Sequence, residues 1–207
     1  MVSGAPRPVE DRIDQIVSNH PSERGWLHRA LQDVSRVDHA VYRAVASTPT
    51  PALDAPLRRL SNSANRSLIW AAVAGALAVV GGPRGRRAAL AGLTSIGVSS
   101  ATVNVALKGL YPRERPDRTT AGVVFARQTT MPESASFPSG HSASGFAFAS
   151  AVGYQIPALS FPLGILAAAV AYSRVHSGVH YPGDAIVGSL TGAAVGLTVS
   201  ARFNRRG

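Results

Sequence analysis

From residue 67 onward the chain alternates long uncharged runs with short charged breaks. Ser67–Pro83 carries no charge and ends at Arg84, Arg86 and Arg87, and Ala88–Leu107 carries none and ends at Lys108. Ser142–Ser173 is uncharged throughout, with Pro157 and Pro162 near its middle, so it reads as a helical hairpin. Ala185–Ala201 is the last such run and ends in Arg202, Arg205 and Arg206. A helix needs roughly 17–25 apolar residues to cross a bilayer, so these runs are at the short end of that range. Small residues fill them, as where transmembrane helices pack closely, and this favours a membrane over the buried helices of a soluble bundle.

Upstream the pattern differs. Leu27, Leu31, Val34, Val37, Val41 and Val45 recur at helical spacing, with Arg29, Asp33, Arg36, Asp38 and Arg43 on the other sides. Such a helix is expected to lie along a surface rather than to span. A Thr48-Pro49-Thr50-Pro51 break follows, then a short amphipathic piece around Leu53, Leu57 and Leu60. Residues 1–25 read as a tail with at most a short helix near Arg12–Val17. The expected fold is all-α: a membrane-embedded helical bundle of about five spans plus an N-terminal amphipathic helix. Residues 1–66 form the tail and amphipathic part, and residues 67–207 the transmembrane core.

Composition narrows the chemistry. The 207 residues hold 20 arginines, one lysine and 11 acids, for a formal charge of +10. Nucleic acid is not an expected partner, because no basic stripe interleaved with aromatics occurs. The basic residues cluster where the uncharged runs end, which suits membrane lipids. The mean hydropathy of +0.10 averages over this segregation. Without cysteine, thiolate metal sites and cysteine nucleophiles are excluded. The N-terminus lacks the apolar core of a signal peptide, so insertion falls to the internal segments. The simplest threading puts the arginines at 84–87 and 202–206 on the cytoplasmic side, as the positive-inside rule asks. The loops 108–139 and 174–184 then share the non-cytoplasmic face. Five spans would also leave residues 1–66 outside, unless Trp26–Ala46 crosses; its course is left open.

Three clusters in those loops can carry chemistry, and each is ambiguous alone. Lys108 and Arg115, in Lys108-Gly-Leu-Tyr-Pro-Arg-Glu-Arg115-Pro116, are either interfacial anchors or a cationic cradle for phosphate. Phe137-Pro138-Ser139-Gly140-His141-Ser142 is either a plain helix cap or a helix N-terminus that binds an oxyanion with His141 facing it. In Ser173-Arg174-Val-His176-Ser-Gly-Val-His180-Tyr-Pro-Gly-Asp184, the last histidine and aspartate are either structural or a nucleophile with its orienter. In the second case Asp184 accepts the Nδ1 proton of His180 and leaves Nε2 to attack.

Together the clusters read Lys-x6-Arg-Pro, Pro-Ser-Gly-His and Ser-Arg-x5-His-x3-Asp, in that order and each at the edge of an apolar helix. This pattern resembles the type 2 phosphatidic acid phosphatase superfamily, which includes bacterial acid phosphatases and vanadium haloperoxidases; it covers about Arg66 to Ala201. The resemblance implies that Lys108, Arg115 and Arg174 bind phosphate oxygens, helped by Ser139 and the Gly140 backbone N–H. It implies that His180 attacks phosphorus, that Asp184 orients it, and that His141 protonates the leaving oxygen and then activates water. No metal or other cofactor is called for, and His176, without a place in the pattern, reads as a loop residue. The expected activity is hydrolysis of a lipid phosphate or diphosphate in the cell membrane. The alternatives are a vanadate-dependent haloperoxidase, a soluble-type acid phosphatase, or, in another class, a non-catalytic membrane scaffold or transport protein. The motifs leave oligomeric state undetermined.

Overall fold

The structure, a computed structural model, describes residues 23–110 and 112–205. The helix expected near Arg12–Val17, Tyr111 of the first motif and Arg206 lie outside the described residues. Among the described residues every regular element is helical: α1 (Glu23–Ser47), α2 (Pro51–Ser63), α3 (Leu68–Val80), α4 (Gly82–Ala101), α5 (Gly140–Gln155), α6 (Ser160–His176) and α7 (Pro182–Arg205). A π-helical stretch, Thr102–Leu107, prolongs α4 toward Leu110, and 3-10 turns join α2 to α3 and α5 to α6. The hairpin expected over 142–173 is therefore α5, a turn at Pro157–Leu159, and α6. The chain divides into a first unit that ends at His39 and a second that starts at Ala40. Residues 40–66, expected with the tail, thus belong to the same unit as the apolar helices.

Within the second unit α5 is central and packs against α4, α6 and α7. Glycine sets its closest approach. Gly188, Gly192 and Gly196 recur every four residues on one face of α7. A Cβ on them would lie 2.4, 2.1 and 2.3 Å from the carbonyl oxygens of Ser139, Ala143 and Ala147. Each turn of α7 therefore rests directly on the backbone of α5, the close helix–helix packing that small residues permit in membranes. On the other side of α5 the ring of Phe148 packs on that of Trp70 in α3, with centroids 5.4 Å apart. Ala74, Ala88, Val152, Leu163 and Val170 complete this core.

The outer faces are apolar as well. Val79, Val80, Val105 and Phe161 are each more than three-quarters exposed, a distribution that suits lipid rather than water. Among the described residues three helical segments are long and apolar enough to cross a membrane: Gly82–Leu110, Pro157–His176 and Pro182–Asn204. The pair Pro51–Ser63 and Asn65–Val80, bent by 66°, raises the number to four if it acts as one span.

Arg84, Arg86 and Arg87, at which the first uncharged run ends, lie in the opening turns of α4. Positive charge there opposes the helix dipole. Each guanidinium turns to a free carbonyl near the C-terminal end of a neighbouring helix: Arg84 to Gln155 of α5 at 2.8 Å, Arg86 to Ala78 of α3 at 3.3 Å, and Arg87 to Phe203 of α7. Those carbonyls are orphaned by helix geometry, so the arginines serve as caps. They gather at one end of the bundle. The start of α5, the end of α6 and the start of α7 meet at the other, where Ser139 N–H donates to Asp184 C=O at 3.0 Å.

Candidate active site

The end of the bundle away from the arginine caps holds a cavity of about 200 Å3 lined by Lys108, Arg115, Gly140, His141 and His180. Residues from three motifs as much as 72 positions apart thus share one wall. Ser139, Arg174 and Asp184 lie behind it, buried.

His180 sits in the short loop between α6 and α7 and is 2% exposed. Its Nε2 accepts from Arg115 Nη1 at 3.3 Å. A guanidinium can only donate, so Nε2 carries the lone pair and Nδ1 the proton. On the Nδ1 side are Ser136 Oγ at 3.4 Å and Asp184 Oδ2 at 3.6 Å. The second distance is longer than a hydrogen bond, and Ser136 completes the link by donating to the same carboxylate oxygen. Burial, then the nearby Arg115 and Arg174 charges, hold the His180 pKa down at about 4, against an opposing hydrogen-bond contribution from Asp184. The ring is therefore neutral at physiological pH, with its basic nitrogen facing the cavity.

Asp184 is held on every side. Arg113 Nη1 donates to Oδ1 at 2.8 Å, and Tyr181 N–H donates to Oδ2 at 2.9 Å. Arg113 also stacks over the Tyr181 ring, 4.0 Å from its centroid. Sequence reasoning missed both Arg113 and Ser136. Arg113 stands inside the Lys108–Arg115 cluster, two residues before the arginine that was singled out, whereas nothing in the local sequence marks Ser136.

Of the cationic residues, Lys108 Nζ donates to Ser134 Oγ at 2.8 Å. Arg115 is anchored by Nε to the Ser134 carbonyl at 2.9 Å and by Nη1 to the Val179 carbonyl at 2.7 Å. Burial, with Arg118 nearby, lowers its pKa, partly offset by Asp184. Arg174, on the last turn of α6, donates from Nη1 to Ser61 Oγ at 2.6 Å, and its Nε is buried without a hydrogen-bond partner. Ser139 is the N-cap of α5; its hydroxyl accepts from the Ser142 N–H and hydroxyl at 3.4 and 3.0 Å. Its side chain is thus engaged in the cap, and Gly140 forms the wall.

His141 is fixed by a residue outside all three motifs: its Nε2 meets Asn65 Oδ1 at 2.9 Å. The amide oxygen accepts, so Nε2 bears hydrogen and Nδ1 carries the lone pair. Asn65 opens the sharp turn between α2 and α3, where Arg66 (φ 52°) and Ser67 (φ 58°) both take left-handed backbone. That conformation costs roughly 1–2 kcal/mol per residue for non-glycine, and strain of this kind persists where the surroundings impose it. His176, expected in a loop without a role, is the buried last residue of α6. Its Nε2 lies 2.9 Å from Thr50 Oγ1 and 3.3 Å from Asp54 Oδ1, and Asp54 is paired in turn with buried Arg127 at 2.8 Å. This network fastens α2 and the loop after α4 to the end of α6.

Among the described residues no group of three or more His, Asp or Glu side chains is arranged to hold a metal ion. The cavity is a basic one, with three cations, two imidazoles and a helix N-terminus facing a common space. Such an arrangement can bind a phosphate, attack it at phosphorus and protonate a leaving oxygen.

Comparison with known proteins agrees. The chain is 35% identical over 170 residues to decaprenylphosphoryl-5-phosphoribose phosphatase of Mycobacterium tuberculosis, covering 80% of this chain and 90% of that one. It is 33% identical over 164 residues to the protein of the same name in Mycolicibacterium smegmatis, covering 76% and 84%. Its fold resembles that of a transmembrane PAP2-type phosphatidylglycerolphosphate phosphatase from Bacillus subtilis, with a TM-score of 0.66, 23% identity, and coverage of 84% and 87%. It also resembles LpxE of Aquifex aeolicus, with a TM-score of 0.58, 21% identity, and coverage of 79% and 94%. The sequence pattern of the PAP2 superfamily matches residues 88–207, and the chain belongs to that superfamily.

Proposed function

We propose that this protein is an integral-membrane phosphatase that removes the terminal phosphate of a lipid-linked sugar phosphate, decaprenylphosphoryl-5-phosphoribose or a close analogue, through a phosphohistidine at His180. The observation that carries the reading is the cavity in which Lys108, Arg115, His141 and His180 meet. The relatives that match over most of their length supply the substrate class.

The substrate phosphate takes the place opposite His180 Nε2, where its oxygens meet Arg115, Lys108, the Gly140 N–H and the free Nε of Arg174. Nε2 attacks phosphorus as the bond to the sugar oxygen breaks. Protonated His141 gives its Nδ1 proton to that oxygen and becomes the neutral ring whose Nε2–H is held by Asn65. Asp184, fixed by Arg113, Ser136 and the Tyr181 N–H, balances the positive charge that develops on His180. In the second step His141 Nδ1 takes a proton from water, whose oxygen attacks the phosphohistidine; phosphate leaves and His180 is restored. Most of the work is positioning and charge neutralisation, as phosphoryl transfer requires. In this scheme Ser139 acts through the helix cap.

In the same reading α5, sheathed by its neighbours, crosses the membrane with the four candidate spans, giving five. Residues 67–207 carry the motifs and spans of the phosphatase core, the turn at Asn65 and Arg66 completes its cavity, and α1 lies at the membrane surface. The arginine-capped end faces the cytoplasm and the cavity opens on the other side of the cell membrane. Single cysteines at Gly85 and Gly122, in this cysteine-free chain, test that orientation. An impermeant maleimide on intact cells should label position 122 and spare position 85; the reverse pattern would place the site inside.

The phosphatase reading is tested with detergent-purified protein and a panel of lipid phosphates. Wild type should release phosphate in excess chelator, be inhibited by orthovanadate, and yield an acid-labile phosphoenzyme. His180→Ala should lose all three properties. Substantial turnover by His180→Ala, or loss of activity in chelator with rescue by magnesium, would overturn the scheme.

A further inference from the structure

The cavity does not end with the groups that face a phosphate. Beyond them its wall continues through Arg66, Ser67, Ser100 and Asn104. None of the four belongs to the three motifs. They come from two elements that adjoin at the cavity: the strained turn before α3, and the end of α4 where it passes into the π-helical stretch. Local departures of this kind, a left-handed turn and a π-helical stretch, recur at functional sites. Here both occur on the same rim.

Arg66 is exposed, holds a left-handed backbone that a side chain rarely adopts, and makes no hydrogen bond or ion pair with any described residue. Asn104 donates its amide to Ser100 Oγ at 3.1 Å, a bond that uses one lone pair of the serine and none of the capacity of the Asn104 carbonyl oxygen. The rim thus offers one planar cation, one amide and two hydroxyls. An alkyl chain gains nothing from such a lining. A phosphodiester matches the guanidinium fork, and a sugar's hydroxyls match the amide and serines. The cationic count points the same way. Lys108, Arg115 and Arg174 already supply three positive charges to one phosphate monoester, and Arg66 is a fourth.

We propose that Arg66, with Ser67, Ser100 and Asn104, forms a second subsite in this cavity for an inner phosphodiester and the hydroxyls beside it. The substrate it selects carries two phosphates, the outer one a monoester presented to His180 and the inner one joined to the lipid. The assignment rests on the reading of the cavity as a phosphatase site. It makes Arg66 a determinant of specificity: a lipid whose only phosphate is the one removed cannot use the subsite.

The test compares two short-chain probes on the detergent-purified full chain, octylphosphoryl-ribose 5-phosphate and octyl phosphate. The quantity read is the ratio of their kcat/KM values. Arg66→Gly is the informative variant, because glycine takes the left-handed backbone without strain and the turn is kept. It should lower the ratio by about tenfold or more, the usual weight of a charged hydrogen bond. Arg66→Lys should recover part of that, and Asn104→Ala should lower the ratio less, mainly through KM. An unchanged ratio, or an equal loss on both probes, would overturn the subsite. Binding to His180→Ala, measured by calorimetry, separates this proposal from the one beneath it. If wild type cleaves neither probe but His180→Ala binds the ribose probe at least about tenfold more tightly than His180→Ala/Arg66→Gly does, the subsite stands and the phosphatase reading falls. Equal binding by the two variants removes the subsite.

Discussion

Arg113 and Asp184 form a 2.8 Å ion pair behind the cavity wall, with the aspartate buried and the arginine a quarter exposed. The pair joins the loop after α4 to the first turn of α7 and leaves the other carboxylate oxygen for Ser136, the Tyr181 N–H and the His180 edge. Arg113 is not among the residues that line the cavity. It fixes Asp184, the carboxylate beside His180 Nδ1.

Arg113→Ala should therefore lower kcat by about ten- to a hundredfold, since the change leaves a buried carboxylate without its charged partner. KM should move little. Arg113→Lys should restore part of the rate. Steady-state kinetics on one lipid phosphate decides this; a change confined to KM would make Arg113 a binding residue instead.

His141 should matter in proportion to the leaving group. An alkoxide needs a proton and a nitrophenolate does not. His141→Ala should lose about a hundredfold or more on an alkyl phosphate and far less on p-nitrophenyl phosphate. Asn65→Ala frees the imidazole and should show the same preference in milder form. Equal losses on both substrates would remove His141 from the role of acid.

The depressed pKa of His180 has a consequence for stability. Between about pH 4 and the ordinary histidine value of 6.5, the unfolded chain binds a proton that the folded chain refuses. The folded state is thus favoured fully above 6.5, and this contribution fades as pH falls toward 4, by up to about 3 kcal/mol. Replacing His180 with asparagine removes that sensitivity. Thermal melts in detergent at pH 4.5 and 7 should differ more for wild type than for His180→Asn; parallel shifts would contradict the assignment.

Gly192 tests the packing. A methyl group there would meet the Ala143 carbonyl at 2.1 Å, and backbone on both helices leaves little room to yield. Gly192→Ala should destabilise the bundle by about 1–3 kcal/mol. Gly164→Ala, at a position with no atom within 4 Å of the added carbon, serves as the control. Equal melting temperatures would show that α7 can move away from α5.

The sequence by itself determined the helical character, the ends of the apolar runs and the identity of the chemistry. Those properties are local: a run without charge, a proline at a hairpin, a serine before a helix and three motifs in order can all be read within a few residues. It therefore marked Lys108, Arg115, Ser139, Gly140, His141, Arg174, His180 and Asp184 as site residues; five of these line one cavity, while Ser139, Arg174 and Asp184 are buried and do not line it. Only the tertiary structure decided what stands behind and beside them. Arg113 and Ser136 hold Asp184 from 71 and 48 residues away, Asn65 holds His141 from 76 away, and Asp54 meets His176 from the other end of the unit. Residues 40–66 lack the motifs, so the sequence assigned them to the tail, yet the turn at Asn65–Ser67 helps build the site. Hydrogen bonds between distant segments leave no periodic trace, because their partners are set by how helices cross. The crossing of α5 and α7 depends in turn on glycines whose contribution is the absence of a side chain.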